Sequence, residues 1–212
     1  MADGDLATAG AERFALIGNE LAIDFANTVY APAGGDGAIA GWSDLVNFFA
    51  ATGTIEATAI ASLGAREQAT PGACAAAVSE ALALRSILRQ ILPALSVGKP
   101  MRSSWLRAIN RTLRFETGCP QIVGERDKFR LAFSASDDRP VRLLGPIAHS
   151  AARLIVAGAN AKVRKCANPR CILYFCDTSR TGRRRWCSMT GCGNRAKVSA
   201  FLARSRARAS RH

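Results

Sequence analysis

Histidine is scarce in this 212-residue sequence, which contains two, and only His149 lies inside the chain. The sequence also lacks a G-x-S-x-G nucleophile motif, a P-loop, and a G-x-G-x-x-G motif after a strand-like run. These motifs position the nucleophile or the phosphate groups in common enzyme classes. Their absence leaves no visible carrier of catalysis, and we expect a protein that is not an enzyme.

Long apolar runs are also missing. No stretch reaches 18 uncharged apolar residues, so the sequence predicts no membrane span. The first residues, MADGDLATAGAERF, are acidic and rich in alanine, without the apolar core of a secretory signal. Seven cysteines in such a chain indicate a reducing compartment. We therefore expect a cytoplasmic protein.

Acidic residues are nearly absent from the C-terminal quarter of the chain. Residues 1–161 hold 15 basic and 15 acidic residues, whereas residues 162–212 hold 14 basic residues and a single acid, Asp177. The whole net charge of +13 therefore belongs to the C-terminal segment. A neutral body with one cationic end indicates a polyanionic partner.

That cationic segment also contains two cysteine pairs of equal spacing, Cys166 with Cys171 and Cys187 with Cys192. This spacing allows each pair to place two sulfur atoms on one tetrahedral ion. The alternative is that these cysteines are simply buried or joined in disulfides. Four thiolates leave no open coordination position, so the predicted ion is one structural Zn²⁺. A fifth cysteine, Cys176, has no paired partner and is expected to pack rather than to bind metal.

Two stretches resemble a known family. The run WCSMTGCGNRAKV, preceded by FCDTSRTGRRRW, resembles the CGNR zinc finger, named after Cys192-Gly193-Asn194-Arg195. The N-terminal run NELAIDFANTV, from Asn19 to Val29, resembles the beginning of the ABATE domain that accompanies this finger. The resemblance implies a bacterial, stress-linked transcription regulator that binds DNA.

The apolar periodicity predicts an α+β fold in two domains. Residues 1–160 form a mainly helical domain, with Asn19 as a candidate cap for its first helix and a longest helix from about Gly72 to Leu95. A change of period between Gln121 and Phe133 predicts a small β-hairpin. Residues 161–212 form the second domain.

The second domain is predicted to be a treble-clef-like zinc finger with a basic C-terminal helix and tail. We expect a short hairpin of Leu173–Phe175 with Arg184–Trp186, and glycine N–H groups near Cys192 that donate to the thiolates. The final helix should turn Val198, Phe201 and Leu202 towards the zinc core. Because a module of this size has too small a core, zinc removal should unfold it while the larger domain keeps its helices.

Basic residues surround the second cysteine pair. The candidate nucleic-acid-binding residues are Arg180, Arg183, Arg184, Arg185, Arg195, Lys197, Arg204, Arg206 and Arg208. Arginine enrichment with interleaved aromatic residues favours phosphate contacts with double-stranded DNA. One alternative is a solvated helix face with a disordered tail. Another is a non-enzymatic adaptor that binds RNA or an acidic protein. By analogy with other regulators, a homodimer is expected.

Asp24 and Asn27 lie one turn apart on the first predicted helix. They would either line a pocket for a small effector or form hydrogen bonds that tie the helix to a neighbouring loop.

Overall fold

The computed structural model describes residues 13–30, 37–55, 57–115, 118–125, 128–135 and 139–209. The prediction for the side chain of Arg208 lies outside the described residues. The helices are α1 (Leu21–Asn27), α2 (Trp42–Ala51), α3 (Ala57–Ala69), α4 (Pro71–Ser96), α5 (Ser103–Leu113), α6 (Gly145–Ala157) and α7 (Asn194–Ala209). The strands are β1 (Gly118–Glu125), β2 (Lys128–Ala135), β3 (Val163–Lys165) and β4 (Tyr174–Cys176). Short 3-10 turns cover Pro140–Leu144 and Gly158–Ala161.

The architecture is α+β and mainly helical, as the sequence predicted. Strands β1 and β2 form the predicted antiparallel hairpin, with Gly118 opposite Ala135 at one end and Glu125 opposite Lys128 at the other. The longest helix begins at Pro71, where a missing N–H costs nothing in the first turn.

Helix α4 is the central helix of the core. Its buried residues recur at helical spacing, among them Ala77, Ala81, Leu84, Leu88 and Ile91. By length and composition alone, α4 is the one helix in the described part of the chain that is apolar enough to cross a membrane. In the structure it packs against α1, α2, α3 and α5, and a third of its most apolar 18-residue window is buried.

Aromatic side chains from α1 and α2 fill the other half of the core. The buried aromatic residues are Trp42, Phe25, Phe48 and Phe49. Phe48 packs edge to face on Phe25 and on Phe49, with 5.4 and 5.6 Å between the ring centroids. Each such ring pair contributes roughly 0.5–1.5 kcal/mol beyond its buried area. The core thus holds α1 and its N-terminal approach in a fixed position.

A second two-stranded sheet joins the C-terminal segment to this core. Strand β4 pairs antiparallel with β3, so Val163 lies opposite Cys176 and Lys165 opposite Tyr174. The predicted pairing of Leu173–Phe175 with Arg184–Trp186 is therefore wrong, because β4 pairs instead with the chain that precedes the first cysteine. Val163, Tyr174 and Cys176 are buried in the same apolar cluster as the helices.

Asn27 connects α1 to this sheet. Its Nδ2 donates to the carbonyl of Tyr174 at 2.9 Å, and its Oδ1 accepts from the Tyr174 N–H at 3.1 Å. Asn27 is fully buried, so both hydrogen bonds form away from water. The amide therefore acts as a backbone mimic that pairs with an edge of β4.

Further hydrogen bonds tie the N-terminal approach to β4. The N–H of Cys176 donates to the carbonyl of Gly18 at 2.8 Å, and Asn19 Nδ2 donates to the carbonyl of Cys176 at 3.0 Å. The sequence suggested that Asn19 caps α1, and this prediction is wrong, because the N-cap position belongs to Glu20. Asn19 itself adopts φ of 60°. The polar side chain of Asn19 is used for the connection between regions instead.

Candidate metal centre and basic surface

The first cysteine pair lies in a tight turn between β3 and β4. The N–H of Cys166 donates to the carbonyl of Leu173, and the N–H of Cys171 donates to the carbonyl of Asn168. Asn168 Oδ1 also accepts from the N–H of Arg170 at 3.1 Å, an Asx turn that fixes the loop. These bonds direct both sulfur atoms to one side of the loop.

The second pair lies at the start of α7. A single π-type turn over Met189–Gly193 follows Cys187 and leads into the helix. A Cβ at Gly193 would lie 3.0 Å from Met189 Sδ, so a side chain there would require Met189 to shift. Cys192 lies two residues before the first residue of α7, Asn194, and helix N-termini favour a thiolate.

The four sulfur atoms of Cys166, Cys171, Cys187 and Cys192 converge. They all lie within 4.8 Å of one another, and Cys171 Sγ is 3.7 Å from Cys187 Sγ. A disulfide would require about 2.05 Å. Four thiolates at about 2.3 Å from a tetrahedral zinc lie about 3.8 Å apart, so the cluster fits this ion.

Hydrogen-bond donors surround the sulfur atoms. Cys192 Sγ accepts from Asn168 Nδ2 at 3.3 Å and from the Arg195 guanidinium at 3.2 Å, and Cys166 Sγ accepts from the N–H of Cys187 at 3.4 Å. Burial opposes ionisation of Cys192, but these side-chain donors outweigh it and lower its thiol pKa to about 6. Such donors stabilise the anionic complex of four thiolates with zinc.

The predicted glycine donors have other partners. The N–H of Gly191 donates to Ser188 Oγ, and the N–H of Gly193 donates to the Ser188 carbonyl. The expectation that these groups donate to the thiolates is therefore wrong. Their hydrogen bonds to Ser188 close the turn instead. The side chains of Asn168 and Arg195 donate hydrogen bonds to Cys192 Sγ.

Cys176 lies apart from the cluster. It is buried in the main core on β4, and burial raises the pKa of its thiol to about 11. It acts as a small apolar core residue.

Arg184 is an internal residue of the finger. Its guanidinium lies 4.1 Å from the centroid of the Phe175 ring and donates to the carbonyls of Ile17, Trp186 and Cys187. These contacts engage Nε and Nη2 of Arg184 with backbone carbonyls of the chain itself. Three consecutive arginines gave no sequence signal that the middle one points inward.

Asp177, the single acid of the C-terminal segment, is also internal. Its carboxylate accepts from Ser179, from the N–H of Arg184 and from Arg164 Nε at 3.1 Å. Burial opposes ionisation, but the hydrogen bonds from Ser179 and Arg184 keep the pKa of Asp177 below its usual value. This carboxylate is turned inward, and its ion-pair partner Arg164 is not among the predicted nucleic-acid contacts.

The remaining predicted cations lie on that surface. The exposed residues are Arg180, Arg183, Arg185, Arg195, Lys197, Arg204 and Arg206. Arg185 lies over the Trp186 ring at 5.2 Å. The first three occupy the loop before Cys187, and the other four occupy α7.

Asp24 and Asn27 have different surroundings in the described part of the chain. Asp24 lines a cavity of about 380 Å³ together with Asn19, Glu20 and Thr52, whereas Asn27 is buried against Tyr174. Burial raises the pKa of Asp24 to about 6, although Asp24 Oδ1 accepts from the N–H of Gly18 at 2.7 Å. The hydrogen bonds of both residues tie α1 to its neighbours, and a role of Asp24 in binding an effector stays a prediction. His149 lies on an exposed face of α6.

Comparison with known protein families matches nearly the whole described chain. Residues 19–158 match the ABATE family, described as "Putative stress-induced transcription regulator", and residues 162–211 match the CGNR zinc finger. No curated protein matches the chain. Both resemblances found in the sequence are confirmed. The finger match and the four clustered sulfur atoms together support one structural zinc ion.

Proposed function

Because this chain belongs to the ABATE family and ends in a CGNR zinc finger, we propose that it is a stress-linked transcription regulator that binds double-stranded DNA. In this proposal, residues 1–160 sense a signal or assemble the protein, and residues 161–212 bind the phosphate backbone. The zinc ion is held by Cys166, Cys171, Cys187 and Cys192 and fixes the loop and the helix that carry the cations.

One observation carries the proposal: the surface of the finger bears cations without acids. The only acid of residues 162–212 is Asp177, and its side chain is fully buried. Six of the predicted contact residues are exposed cations outside the metal shell, namely Arg180, Arg183, Arg185, Lys197, Arg204 and Arg206. Such a surface attracts a polyanion over a distance of about one Debye length, roughly 8–10 Å at physiological salt.

Two other arginines contribute differently. Arg184 braces the finger against the helical region, and Arg195 donates to Cys192 Sγ. Both therefore stabilise the metal module, and phosphate binding falls to the six cations above.

A salt titration of duplex binding tests the proposal. If six phosphates are neutralised, log K falls against log salt with a slope near −5. Arg183→Ala and Arg204→Ala should each reduce the magnitude of the slope by about 1. The matched control is Arg107→Ala, which removes an exposed arginine of α5 and should leave the slope unchanged.

A slope near zero for the zinc-loaded chain would refute DNA binding through this surface. Capture of an acidic protein that survives nuclease treatment, without duplex binding, would favour the adaptor function instead.

A further inference from the structure

The apolar stripe of α7 faces solvent. Val198, Phe201 and Leu202 are 50%, 62% and 48% exposed, so the prediction that they pack on the zinc core is wrong. Their spacing of three and four residues places them on one face of the helix. Large apolar side chains gathered on an exposed face mark an interaction site.

Over the part of α7 from 197 to 206, whose side chains the structure describes, no residue is packed in a way that would hold the helix. Residues 197–206 are all exposed. Isolated helices of this length are marginal in water, and most helices depend on packing of one face. Helix α7 therefore needs a partner for its apolar face.

Cations flank this stripe on both sides. At about 100° per residue, Arg206 lies along one edge, and Lys197 and Arg204 lie along the other. Helix α7 contains no acidic residue. A second copy of the same helix would bring like charges together, which disfavours self-association through this face.

The major groove of duplex DNA matches this arrangement. A helix with its side chains is about 10–12 Å across, and the groove is about 12 Å wide. Phosphate backbones border the groove on both sides, where the flanking cations of α7 lie. The floor of the groove presents base edges, including the apolar methyl group of thymine.

We propose that α7 enters the major groove and that Val198, Phe201 and Leu202 contact base edges, with thymine methyl groups as their preferred partners. This inference rests on the proposed DNA binding and adds sequence readout to it. The cations set affinity, and the apolar stripe sets the preference among sequences.

Selection of bound duplexes from a random library by the full, zinc-loaded chain tests the inference. We expect an enriched site that contains thymine, with affinity for this site above that for a scrambled duplex. The double variant Phe201→Ala/Leu202→Ala should reduce this affinity ratio by about tenfold or more and leave the salt slope unchanged. Replacing the thymines of the site by uracil, which removes the methyl group, should weaken wild-type binding and have little effect on the variant.

The matched control is Val156→Ala, which truncates an exposed apolar residue at the end of α6 and should change neither the ratio nor the slope. An undiminished ratio in the double variant would overturn the inference, as would a wild-type chain that enriches no site. Tighter binding to anionic phospholipid vesicles than to any duplex, or a dimer that dissociates in the double variant, would also overturn it. In contrast, a salt slope near zero would overturn the proposed function itself.

Discussion

Replacement of Asn27 by alanine should destabilise the helical region and the metal module together. The substitution leaves the N–H and carbonyl of Tyr174 without their partners in a buried position. Each unsatisfied buried group costs about 1–3 kcal/mol, so we expect a loss of about 3 kcal/mol in the free energy of unfolding. For a chain of this size, the midpoint of thermal unfolding should fall by roughly 6–12 °C.

Denaturant unfolding, followed by far-UV circular dichroism and by zinc release to a chromogenic chelator, measures both regions. Since Tyr174 lies in the main core, we expect coincident transitions that shift together in Asn27→Ala. The matched control is Asn110→Ala, which alters an exposed position of α5 and should change stability by less than about 0.5 kcal/mol.

Separate transitions, with zinc release moving and helix loss fixed, would refute this reasoning. That outcome would support the independence expected from the sequence, in which residues 161–212 unfold alone. A change below about 0.5 kcal/mol in both transitions would show that the Asn27 amide contributes nothing net to the connection.

The remaining predictions concern charge, metal and arginine. Burial disfavours the ionised form of Asp24 in the folded state. The stability that protonated Asp24 contributes is therefore complete below about pH 4 and is lost as pH rises through about 6. Asp24→Asn should remove this dependence and stabilise the protein at pH 7 by up to about 3 kcal/mol, measured as the difference in unfolding free energy between the two proteins; a constant difference from pH 4 to 7 would contradict it. Cys187→Ser should lower bound zinc well below one ion per chain in elemental analysis, and full retention would contradict its role as a ligand. Arg184→Ala should cost about 3 kcal/mol of stability, since a charged donor to three carbonyls is lost, whereas Arg183→Ala should cost less than about 0.5. Equal losses in the two variants, measured by denaturant unfolding, would contradict the internal role of Arg184.

The elements that depend on local pattern were predictable. Helix α4 carries a long apolar stripe behind Pro71, and the β1–β2 hairpin carries a change of period, so sequence spacing alone indicated both. The convergence of four sulfur atoms was equally accessible, because two matched cysteine pairs require only short turns.

The features that depend on distant partners were not predictable. The pairing of β4 with β3 and the inward direction of Arg184 follow from contacts with Ile17, Gly18 and Asn27, about 150 residues away in the sequence. The prediction that the apolar face of α7 packs on the zinc core failed for a different reason. Periodicity shows that a stripe exists, but it does not show which surface covers it.

The hydrogen bonds that join Gly18 and Asn19 to Cys176 on β4 limit how freely the finger can be moved to another protein. A fragment that starts after α6 would expose Val163, Tyr174 and Cys176 to water and strip Arg184 of its Ile17 acceptor. Grafting the finger onto an unrelated carrier would therefore require the carrier to supply an amide like that of Asn27 and backbone carbonyls like those of Ile17 and Gly18. The finger and the segment around α1 are far apart in the sequence, but each supplies hydrogen-bond partners that the other needs.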